Sequence, residues 1–103
     1  MQLIAKLSDM IEEELNDAEK YAKCALNYKE EGMTALSATF NKLSLEEIGH
    51  VNALHEQVSA IITEYRKEHG DPPEKMQGVY EYLHKKHIEH ANKIKILQGL
   101  YKS

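Results

Sequence analysis

The chain has 103 residues, 42% of them apolar, with 17 acidic and 13 basic side chains and a formal charge of −4. That size holds one domain rather than two, five Gly and two Pro argue for a packed core over disorder, and the mild acidity disfavours nucleic acid, which asks for a basic patch. No run approaches the roughly 18 apolar residues of a membrane span, MQLIAKLSDM lacks a signal-peptide pattern, and Cys24 is the single cysteine. The expected setting is therefore a reducing cytoplasm with no membrane partner.

The first predicted helix covers about residues 2–30. It ends at Glu30-Glu31-Gly32, where Gly32 suits the left-handed residue that closes a helix. Thr34 is the expected cap of the second helix, about 35–68. The next break is His69-Gly70-Asp71-Pro72-Pro73-Glu74. Here Gly70 closes a helix, Asp71 is expected to cap the third, Pro72 to take its first position and Glu74 to complete a capping box. The third helix is then about 72–101. Two short turns make neighbours antiparallel, so the expected fold is an all-α, up-down-up bundle of three long helices in a single domain.

Apolar spacing agrees. Ile4, Leu7, Ile11, Glu14, Ala18, Tyr21, Ala25 and Tyr28 step by three and four, which keeps them on one stripe facing partner helices. Leu36, Phe40, Leu43, Glu47, His50, Leu54, Val58, Ile61 and Tyr65 form the second stripe; Met76, Tyr80, Leu83, His87, His90, Ile94, Leu97 and Tyr101 form the third. Met10, Met33 and Met76 read as core fillers, and His55 and His69 as solvent-facing.

Each stripe is interrupted by polar residues at one level: Glu14; Glu47 with His50; His87 with His90. Counted outward from a pivot near residue 31, Glu14 lies 17 back while Glu47 and His50 lie 16 and 19 forward. From a pivot near 70, His50 lies 20 back and His90 20 forward, with His87 one turn short. The expected site therefore gathers Glu14, Glu47, His50, His90 and His87 in one layer. Two carboxylates buried together without compensation are unfavourable. A divalent cation removes the conflict, because carboxylate oxygen and neutral imidazole nitrogen are its natural ligands.

Glu47-Ile48-Gly49-His50 on the second helix, with Glu14 and Tyr21 on the first, resembles the first half of a ferritin-like or rubrerythrin-like di-iron bundle. The resemblance spans about the first 60 residues. It implies a four-helix bundle holding two irons, with Glu14 terminal, Glu47 bridging and His50 terminal, and a chemistry of ferrous oxidation, iron handling or peroxide detoxification, an oxidoreductase role. Iron is the implied metal, with manganese or zinc as alternatives.

That family's second half supplies another Glu and another Glu-x-x-His, whereas one helix remains here. Glu81-Tyr82-Leu83-His84 fits the motif literally, but Glu81 falls opposite the stripe and His84 at its margin, so the role is not carried onto them. Either one subunit holds a metal with help from His87 and His90, or a homodimer joins two half-sites, as in the smaller encapsulin-associated ferritin-like proteins. Leu45, Ile48, Ile88 and Ile96 hint at a second buried face and favour the dimer or a higher homo-oligomer. The alternative is a non-enzymatic helical interaction or assembly module whose Glu/His layer only fixes register.

Overall fold

A computed structural model describes residues 2–103. Three helices account for it: α1 (Gln2–Glu30), α2 (Thr34–His69) and α3 (Glu74–Lys102). They form an elongated up-down-up bundle, 56 × 19 × 18 Å. α1 packs against both neighbours, whereas α2 and α3 touch each other little. Among the described residues no helix is long and apolar enough to cross a membrane.

The first turn forms as its sequence dictates. Gly32 adopts φ 79°, Met33 N–H donates to the Tyr28 carbonyl at 2.8 Å and Gly32 N–H to Lys29 at 3.1 Å, the paired bonds of a Schellman closure. Thr34 does not cap α2. Met33 occupies that position and offers no side-chain oxygen, while Ser37 N–H donates to the Met33 carbonyl at 2.9 Å.

The second turn departs further. Gly70 takes φ 76°, ψ −166°, a region essentially reserved for glycine. Asp71 is not a cap, Pro72 is not helical, and α3 begins at Glu74 after Pro73 at φ −51°, ψ 143°. The reason is the double proline: the ring of Pro73 disfavours helical geometry at the residue before it, so Pro72 stays outside the helix. Asp71 lies beside Arg66 instead, 3.9 Å from its Nε.

The core runs along α1. Ile11, Leu15, Ala18, Val51 and Ile94 form its centre, with Ile48, Leu54, Val58 and Ala91 packed around it. On α2 the fully buried line is Ser37, Ser44 and Val51, one residue round from the expected stripe through Leu43, Glu47 and His50. The small residues decide this rotation. Ser44 opposes Ala18, and its hydroxyl donates to the Ala18 carbonyl at 2.7 Å, which requires the two backbones to approach closely. Met10 and Met33, expected in the core, are exposed.

Ser44 also accepts from Gln98 Nε2 at 2.9 Å, so one buried hydroxyl joins all three helices. Replacing Ser44 with Ala leaves the Gln98 amide buried without that acceptor and should cost about 1–3 kcal/mol in urea unfolding. Adding Gln98→Leu should recover much of the loss, since removing both partners of a buried pair is far cheaper than removing one. Equal losses in the single and double variants would contradict a register role for this pair.

Candidate metal centre

Glu14 sits on the flank of α1 that carries Leu7, Tyr21 and Tyr28, all half-buried against α2. Glu47 and His50 are three residues apart on α2, so their heads emerge on one side. His50 Nδ1 lies 3.5 Å from Glu14 Oε2 and 3.7 Å from Glu47 Oε1. One ligand atom from each of the three residues falls within 4.8 Å of the others. Ligands sharing an ion through bonds of about 2.0–2.2 Å lie no more than about twice that length apart, so small side-chain rotations bring all three onto one cation. The donor set is chemically apt for a divalent first-row metal.

The site is an open one. Glu47 is 17% exposed, Glu14 30% and His50 60%. The rotation of α2 about Ser44 moves these residues from the bundle axis to the edge of the α1–α2 contact. Water reaches His50, and charge crowding between the two carboxylates is correspondingly softened.

His90 and His87 do not join them. His90 Nε2 lies 2.8 Å from Glu19 Oε1, with both side chains about four-fifths buried. Glu19 and Glu14 are five residues apart, which places them about 140° apart around α1. His90 therefore has the expected depth and the wrong side. His87 lies between α1 and α3 near Glu12 and His84, and burial holds it below the ordinary histidine range. Glu81 accepts from Gln77 at 3.0 Å, and His84 meets His55 across α2 and α3. Tyr21 packs its ring against Phe40, centroids 5.9 Å apart, as does Tyr28 at 5.5 Å.

Glu19 is a residue that the stripe pattern misses, because it stands one position outside the apolar rows. A polar residue on parallel α3 facing α1, His90, was the available signal. Lys23 donates to Glu19 at 2.8 Å and Lys93 lies 3.5 Å away. The Lys23 hydrogen bond, opposed by burial and aided by His90 and the two lysine charges, holds the carboxyl at about 2 against an ordinary 4.5. A depressed carboxyl contributes stability that is present above its ordinary value and lost as pH falls from 4.5 through about 2. Over that window the melting temperature should fall more steeply for the native protein than for Glu19→Gln. Parallel curves would show that this cluster adds nothing to stability.

Comparison with protein-family models, with curated proteins and with solved structures gives no match to this chain.

Proposed function

We propose that this chain is a small ferritin-like metal-binding protein, in which Glu14, Glu47 and His50 form half of a carboxylate-bridged iron centre completed by a second copy. The observation that carries the reading is the convergence of three metal-binding side chains from two helices on the side of the hairpin that α3 leaves open. That opening follows from helical phase. His55, which meets α3, is five residues and about 140° from His50 on α2, just as Glu19 is from Glu14 on α1.

The surroundings support a second copy as the missing wall. Leu36 and Leu43 lie half-buried about four and two turns before His50 along α2, and on α1 the exposed Leu3 and Met10 border Leu7 and Glu14. A two-fold axis through such a face is self-complementary and brings two sets of three donors together. In this reading Glu47, the least exposed of the three, bridges, and Glu14 and His50 take terminal positions. A pair of irons held this way supplies ferrous oxidation or peroxide chemistry. This chain's part is to fix the donors and leave an open edge at His50.

The register-only alternative is less well supported. A register device belongs in the core, and the Ser44–Gln98 pair already fills that role, whereas His50 is mostly exposed.

The deciding measurement is elemental analysis of protein from iron-supplied cells, together with its mass by sedimentation. Close to one iron per chain in a dimer is expected. Metal-free protein after anaerobic loading with ferrous iron would overturn the reading. Iron retained by a monomer would overturn the shared centre, and manganese or zinc in its place would reassign the ion.

A further inference from the structure

The opposite side of α2 carries a different constellation. A cavity of about 300 Å³ opens between α1, α2 and α3 in the half of the bundle nearer the α2–α3 turn. His55, His84 and His87 line it, among apolar walls that include Ile11 and Val58. His55 Nε2 stands 2.9 Å from His84 Nδ1, with ring centroids 4.7 Å apart and planes inclined by 25°. His87 is one turn further along α3 than His84 and so shares its face.

We propose that His55 and His84 form a second metal site, which His87 joins only by swinging its ring towards the pair, selective for imidazole-preferring ions of the zinc, copper(II) or nickel class. Three arguments carry it. First, the donors are all imidazoles, a set that suits these ions and offers little to magnesium, calcium or manganese. Second, the spacing is close to that required: two imidazole nitrogens on one tetrahedral ion, bound at about 2.0–2.1 Å, stand roughly 3.4 Å apart, about half an ångström more than the contact now measures. Third, α2 and α3 touch each other little along their length, so an ion bonded to both helices adds a link that apolar packing does not supply.

The electrostatics agree with that assignment. Burial, and then the neighbouring His84, hold His55 below the ordinary histidine range. Burial does the same for His87, against the opposing pull of Glu12. Both rings are therefore neutral near pH 7, the form that binds a metal. Without a metal the His55–His84 contact satisfies a single hydrogen bond, since a neutral imidazole has one donor and one acceptor.

The test removes the carboxylate site first. In the full chain carrying Glu14→Gln and Glu47→Gln, calorimetric titration with zinc should show saturable binding of one ion per chain. Adding His84→Gln, an exposed position whose loss leaves the core intact, should weaken that binding about tenfold or more, and His55→Gln should do the same. Zinc should also raise the melting temperature of the Glu14→Gln/Glu47→Gln protein and not of its His84→Gln derivative. Absence of saturable zinc binding in the first protein, or unchanged affinity after His84→Gln, overturns the proposal. Iron retention by the single His84→Gln variant reads the Glu14/Glu47/His50 site separately, so failure of one site is not mistaken for failure of the other.

Discussion

Glu47→Ala is expected to abolish stoichiometric iron binding. Losing a residue that merely orients a metal ligand costs about 10–100-fold in affinity, and a bridging ligand should cost no less. The variant is also informative without metal. In the apo protein Glu47 stands close to Glu14 with only a mostly exposed imidazole between them. Removing one carboxylate there relieves repulsion, so apo stability should stay level or rise slightly, while the stabilisation that iron gives the native protein disappears. Thermal melts with and without ferrous iron, run anaerobically on both proteins, separate the two effects. An iron-dependent rise in melting temperature that survives Glu47→Ala would show that the ion sits elsewhere.

Leu15→Ala should be the most damaging single change to the fold. Leu15 is fully buried in the cluster with Ile11, Ala18, Val51 and Ile94, where all three helices meet. Truncating such a side chain removes its transfer energy and leaves a cavity, at about 2–5 kcal/mol. For a domain of this length each kcal/mol moves the melting temperature by about 4–8 °C, so a fall of more than about 10 °C is expected in calorimetry. A change of only a few degrees would mean that α3 does not dock on this side of α1.

The elements were legible because their signals are local. Gly32 and Gly70 mark both helix ends, and steps of three and four along each segment leave no room for strands. The depth of each residue was equally legible. Counting from residue 31 places Glu14 level with Glu47 and His50, and the structure brings those three together. Counting from 70 places His50 level with His90, and here the inference failed. Depth along an axis says nothing about angle around it, and a stripe assigned by apolar residues alone was one position out on α2. Ser37 and Ser44 are polar and so carry no apolar-stripe signal, although their small size is what the close α1–α2 contact requires. The same count from 70 puts His55 15 back and His84 14 forward, so this pair was within reach once α2 was turned by that one residue. At the second turn, the double proline outweighed an otherwise good capping pattern through a steric effect on the preceding residue.

The uneven docking of α3 has a consequence for how the chain comes apart. Its last turns are tied down by Ile94, by Gln98 on Ser44 and by Lys29, whose ammonium reaches the carbonyls of Tyr101 and Ser103. Its first half borders a cavity. Local opening in proteins follows such differences in packing, and poorly packed segments exchange their amide protons through low-energy fluctuations that leave the rest folded. The α1–α2 hairpin, whose partners lie close in sequence, is the cooperative unit. Amide exchange is expected to be faster at the front of α3 than around Glu14, Glu47 and His50 on the hairpin.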